Sequence, residues 1–147
     1  MADIVAPDIV KRLSGIIDNS EVVTVVTHTR PDGDAVGSAV AAACYLRECR
    51  KKDVQIIFVN EFPEALDFVA DGSDKVLFHN SSPEESVRRI AGSDLIICLD
   101  FNDFSRTDGL RDALEASDAG FAVNDGLVDV NITTKDGKNV SFSCRVY

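Results

Sequence analysis

His28, Asp32 and Asp34 fall within the seven-residue stretch His-Thr-Arg-Pro-Asp-Gly-Asp, which puts an imidazole and two carboxylates in one loop. A neutral imidazole with two hard carboxylate oxygens suits manganese, zinc or iron better than calcium, which prefers oxygen alone. The competing reading is a polar turn, because Pro-Asp-Gly-Asp is ordinary turn chemistry and Asp34 is able to cap a following helix. A further carboxylate, Asp100, ends the apolar run Leu95-Ile96-Ile97-Cys98-Leu99. If the runs before His28 and Asp100 are neighbouring strands of a parallel sheet, His28, Asp32, Asp34 and Asp100 converge from two loops as metal-type ligands. Asp32, Asp34 and Asp100 are then the candidate catalytic carboxylates. An EF-hand calcium loop is excluded by spacing, since Phe104 stands two positions after Asn102, where an oxygen ligand is needed.

The residues around these ligands suggest how a substrate would be held. Arg106 presents a planar fork of donors to a phosphate, or else is a solvated partner of nearby carboxylates. Asp103 is expected to hydrogen-bond its own loop and Asp108 to cap a helix over 109–116. Gly37 and Ser38 are expected in the first turn of a helix, where free backbone donors meet an oxyanion; for Gly37 the alternative is close packing on a neighbouring strand.

Such a site needs strands that end at it. Val22-Val23-Thr24-Val25-Val26-Thr27 is β-branched throughout and lacks polar alternation, as in a strand buried on both faces of a parallel sheet. Pro31 interrupts regular structure after it, and an alanine-rich helix pattern follows over 35–50. Ile9, Leu13, Ile16 and Ile17 are spaced for an amphipathic helix over 7–17, with Pro7 in its tolerated first turn. Strands are expected at 54–59, 75–78 and 95–99, with helices at 63–69 and 83–91. This alternation argues an α/β domain with a parallel sheet flanked by helices. In the tail, Val128, Val130 and Ile132, then Val140, Phe142, Cys144 and Val146, recur with period two on either side of Lys135-Asp136-Gly137-Lys138. An antiparallel carboxyl-terminal β-hairpin with an Asp-Gly turn is expected there. The expected organisation is an α/β domain over 1–117 with the hairpin, 118–147, packed on it.

Two segments carry a family resemblance. THTRPDGDAVGSA, 27–39, and LIICLDFNDFSRTDGL, 95–110, resemble the first two motifs of the DHH phosphoesterase family, in the branch of nanoRNases and 3′-phosphoadenosine 5′-phosphate phosphatases. The resemblance runs from about Ile9 to Ser117 and includes Val59-Asn60-Glu61-Phe62-Pro63, similar to that branch's asparagine- and proline-bearing segment. It implies a Rossmann-like sheet, a cytoplasmic location, and hydrolysis of short oligoribonucleotides or 3′-phosphoadenosine 5′-phosphate, with the metals neutralising charge that builds at phosphorus. By the family pattern His28 and Asp32 hold one Mn2+, Asp34 the other, and Asp100 bridges them.

The family's Asp-His-His motif has no counterpart, because the chain has only two histidines, His28 and His79. His79 lacks an adjacent Asp-His and is expected in a surface loop. The resemblance thus covers the first portion of a longer enzyme. The expectation is a truncated or internally deleted relative with one metal site and an incomplete second one. The alternative is an inactive metal- or nucleotide-binding remnant or an interaction module. Missing downstream strands leave an open sheet edge, expected either to pair with a second copy in a homodimer or to be covered by the tail hairpin.

Charge narrows the partner. A formal net charge of −10 repels long polyanions unless basic residues cluster, and Arg47, Arg50, Lys51 and Lys52 form one such run. That run ends a helix, where cations complement the dipole, so short RNA or a small phosphorylated nucleotide fits better than long nucleic acid. No phosphate-binding G-x-x-x-x-G-K-[ST] loop and no dinucleotide-binding G-x-G-x-x-G turn occur. The four cysteines have no C-x-x-C spacing, and buried reduced thiols are expected. No apolar run is long enough to cross a bilayer, and no membrane partner is expected.

Overall fold

The computed structural model describes residues 7–67, 76–101, 103–124, 129–133 and 139–143. Helix α1 spans Pro7–Asp18, β1 Val22–Thr27, α2 Gly33–Glu48, β2 Asp53–Phe58 and β3 Val76–Phe78. They are followed by α3 Pro83–Ala91, β4 Leu95–Leu99, α4 Arg111–Glu115, β5 Gly120–Asn124, β6 Asp129–Thr133 and β7 Asn139–Ser143. The strands form a sheet of order β3-β2-β1-β4-β5-β6-β7. The first five in this order run parallel, and β6 and β7 are antiparallel to their neighbours. The fold is α/β, as the alternation of apolar runs implies. The turn expected at Asp136 and Gly137 lies outside the described residues.

Burial explains why β1 reads as an unbroken apolar run. Val23 and Val25 join Ala39, Ala43 and Leu46 in one core layer, while Val26 joins Ile57, Ile90, Ile96, Cys98, Leu110 and Leu114 in the other. With a helix layer on each face, no position of the strand is free to be charged. The alanines of α2 let its backbone lie close to β1: Ala35, Ala39 and Ala43 are buried.

Strand order decides where a site can sit. Connections from β1 lead to β2 and β3 on one side, and the chain then crosses back to β4 on the other. The carboxyl ends of β1 and β4 therefore flank the switch point, where loops diverge and leave a crevice. The opposite, amino-terminal edge is tied by polar contacts. The Arg89 guanidinium donates to the carbonyls of Val23 (3.0 Å) and Asp53 (2.9 Å) and to Thr24 Oγ1 (3.2 Å). Asp94 Oδ2 accepts from the amides of Glu21 and Val22.

Several expectations change. Of the helix expected at 63–69, the described residues show a 3-10 turn at Glu64–Leu66 leading into helical Asp67, and residues 68–69 lie outside the described residues. Helix α2 starts two residues early, because Asp32 caps it. Cys44 and Cys49 are exposed on and just after α2, contrary to the expected burial; Cys98 is buried, which raises its thiol pKa well above the ordinary range. The basic run serves packing: Arg50 bonds Ser14 and Asp18 of α1, and Arg47 reaches the Val54 carbonyl. Among the described residues no helix is long and apolar enough to cross a membrane.

Candidate metal centre

His28 follows β1, Asp32 caps α2 and Asp100 follows β4. Register brings them together: Thr27 pairs with Leu99, so the residues leaving β1 and β4 are side by side. One ligand atom from each of His28, Asp32 and Asp100 lies within 4.8 Å of the others. Among the described residues this is the group that combines such donors.

Hydrogen bonding sets the donor character of each side chain. His28 Nδ1 lies 2.6 Å from the Thr29 carbonyl, which can only accept, so Nδ1 is the donor of that hydrogen bond and Nε2 is the ring nitrogen turned to Asp100. Nε2 stands 3.3 Å from Asp100 Oδ2. An imidazole nitrogen and a carboxylate oxygen in contact beside a second carboxylate share a proton or a metal cation. Asp32 spends Oδ1 on the Ala35 amide at 3.0 Å and keeps its other oxygen. A His/Asp/Asp set with its imidazole oriented by a backbone carbonyl is a donor set that a first-row divalent ion fits.

The backbone at the centre is strained. Asp100 has φ 66° and Arg30 φ 52°, left-handed values that cost a non-glycine residue roughly 1–3 kcal/mol. Asp108, in the 3-10 turn Phe104–Leu110, has φ 44° and ψ −118°. Neighbouring loops hold these conformations. The Thr29 amide donates to the Arg106 carbonyl at 2.7 Å and the Arg30 amide to Asn60 Oδ1 at 3.0 Å. The sequence reading gave Asn60 no separate role; the available signal was a polar side chain directly after a buried strand at the same sheet edge.

The other expected residues divide. Asp34 is exposed in the first turn of α2 and does not join the single-ion cluster, so three of the four proposed ligands come together. Gly37 and Ser38 are the fifth and sixth residues of α2, beyond the turn whose amides are free, which corrects their expected oxyanion role. A Cβ on Gly37 would meet nothing within 4 Å, so close packing does not explain that glycine either. Arg106 is exposed and forms no ion pair among the described residues; its carbonyl carries the observed contact. Asp103 accepts from the Ser105 amide at 2.8 Å, as expected, and this bond draws its pKa down. Asp108 does not cap α4, which begins at Arg111 after Leu110. His79 lies in the turn after β3, half-buried, and loss of hydration lowers its pKa.

Residues 22–124 match the DHH family, N-terminal domain. The chain belongs to the DHH family. The matched DHH region begins with β1 and ends with β5, so it is the parallel part of the sheet with the centre at its carboxyl edge. The fold is similar to the crystal structure of an exopolyphosphatase-related protein from Bacteroides fragilis, with a TM-score of 0.75 and 28% identity. The alignment covers 84% of this DHH chain and 36% of that one, so this chain spans about a third of its structural relative. No curated protein matches the sequence.

Proposed function

We propose that this chain is a metal-dependent phosphoesterase domain in which His28, Asp32 and Asp100 hold a divalent cation, Mn2+ by preference. The observation that carries the reading is the convergence of His28, Asp32 and Asp100, with His28 Nε2 3.3 Å from Asp100 Oδ2 and Nδ1 at the Thr29 carbonyl. Membership of the DHH family and the likeness to an exopolyphosphatase-related protein support phosphoester chemistry. When bound, the cation supplies Lewis acidity that neutralises charge on a phosphoryl group. The chain's own contribution is positional. Asp32 is fixed by its cap bond, His28 by its carbonyl partner and Asp100 by its strained backbone, so the donors require little ordering. Asp34, at the start of α2 and outside the cluster, is assigned to a second ion, and exposed Arg106 to the substrate phosphate. The substrate class is short oligoribonucleotides or 3′-phosphoadenosine 5′-phosphate, in keeping with the motif resemblance and with a net charge of −10 that disfavours long polyanions.

A second reading is favoured by a specific observation: among the described residues His28, Asp32 and Asp100 gather as donors for a single ion and Asp34 stands outside that group. The domain is then an inactive metal- or nucleotide-binding module, or one that pairs with another chain. Calorimetric titration with manganese followed by phosphate release from a dinucleotide, 3′-phosphoadenosine 5′-phosphate and inorganic polyphosphate separates the two. Two ions per chain with turnover support the enzyme. One ion without turnover supports the module, and no manganese binding at all removes both metal readings.

A further inference from the structure

Three contacts lace together the loops at the carboxyl edge of the sheet. Two are the hydrogen bonds from Thr29 to Arg106 and from Arg30 to Asn60. The third is steric. His79 leaves the end of β3, its amide anchored to the Phe58 carbonyl at 2.8 Å, and its ring abuts Gly109. A Cβ on Gly109 would stand 2.8 Å from His79 Nε2 and 3.3 Å from Cδ2, so the close approach is what asks for glycine there.

Topology makes this contact informative. Gly109 belongs to the turn that follows β4, and His79 to the end of β3; in the sheet order β1 and β2 lie between those strands. The contact joins the turn after β4 to the end of β3, three strands along the sheet order. Asp108, immediately before Gly109, is held at φ 44°, a conformation that persists only where surroundings over-determine it. The His79 ring is suited to be that surrounding. Its Nδ1 is buried without a hydrogen-bond partner among the described residues, and its Nε2–Cδ2 edge is what faces Gly109.

We infer that His79 is a positioning residue for the metal centre: its ring is the stop against which the Phe104–Leu110 turn rests, setting the Arg106 carbonyl that holds Thr29 and the His28 loop. The consequence for metal affinity rests on the metal reading above; the consequence for the loops does not.

The test pairs amide exchange, followed by NMR on the metal-free full chain, with manganese titration. In His79→Ala the Thr29 amide should exchange about tenfold faster while Val25, in the core of β1, keeps its wild-type rate. Manganese affinity should fall about fivefold to tenfold, the range of a lost supporting contact. Gly109→Ala should do the same by displacing the ring, and the double variant should lie closer to wild type than either single change. A merely structural role would lower the melting temperature and leave Thr29 exchange relative to Val25, and manganese affinity, at wild-type values; that result overturns the inference. So does a double variant whose losses simply add. If His79→Ala does not fold, Gly109→Ala and the double variant decide by the same readouts. Wild-type protein that binds no manganese refutes the metal reading, while Thr29 exchange still decides the role of His79.

Discussion

The two edges of the parallel sheet are built on opposite terms. At the amino edge Arg89 spreads its donors over the carbonyls of Val23 and Asp53 and the Thr24 hydroxyl, and Asp94 accepts from the amides that start β1. Opposite charges and dipoles meet there, and Lys51, two residues before β2, holds a left-handed backbone at φ 58°. At the carboxyl edge His28 Nε2 meets the Asp100 carboxylate, and Arg30, Asp100 and Asp108 hold left-handed backbones. The first edge is arranged to be complete as it stands. The second gathers His28, Asp32 and Asp100 and holds strained backbone, at the expense of stability.

The contrast breaks most visibly at the ligands. His28→Ala or Asp100→Asn should lower manganese affinity by at least about 100-fold, more than the loss of an outer-shell partner usually costs. Unchanged calorimetric titration in either variant would show that the two side chains meet for some other reason. Arg89→Ala should do the reverse. Carbonyls of Val23 and Asp53 lose their donor, for a cost of about 1–3 kcal/mol in urea unfolding, while manganese affinity holds. A loss of metal binding on that substitution would mean that the edges are not separable.

Strain offers a sharper version of the same comparison. Asp100→Gly should remove metal binding yet stabilise the metal-free protein by about 1 kcal/mol, because glycine adopts the φ of 66° without steric cost. A destabilised variant would show that the carboxylate supports the fold even without an ion. Smallest is a pH effect at the same edge. Burial lowers the folded pKa of His79 below its ordinary 6.5, so its contribution is fully present above pH 6.5 and fades as pH falls towards the lowered folded value. Acid titration of stability should therefore be shallower in His79→Ala below pH 6.5, and superimposable curves would count against burial of that ring.

Much of the fold was legible because its signals are local. An unbroken β-branched run from Val22 to Thr27 has few uses other than a strand covered on both faces, and α3 begins at Pro83 and ends at Ala91, as the pattern from Pro to Ala-Gly implies. The errors fall where one turn of chain decides. Asp32 and Asp34 are both able to cap α2, and composition does not choose between them; the choice of Asp32 moved the helix start to Gly33 and carried Gly37 and Ser38 past the free amides. Similarly, a histidine after a short strand looks like a loop residue until the turn from another strand closes on it, as Gly109 closes on His79.

By itself the sequence determined the candidate ligand types and the strands that deliver them, since these follow from residue identity and short-range periodicity. Only the tertiary structure decided that Asp100 reaches His28 and Asp32 while Asp34 does not, and that Asn60 and His79 hold the loops in place. The physical reason is range. Hydrophobic period and helix capping act over a few residues, whereas the contact between β1 and β4 joins segments 72 residues apart and exists only once the sheet has formed.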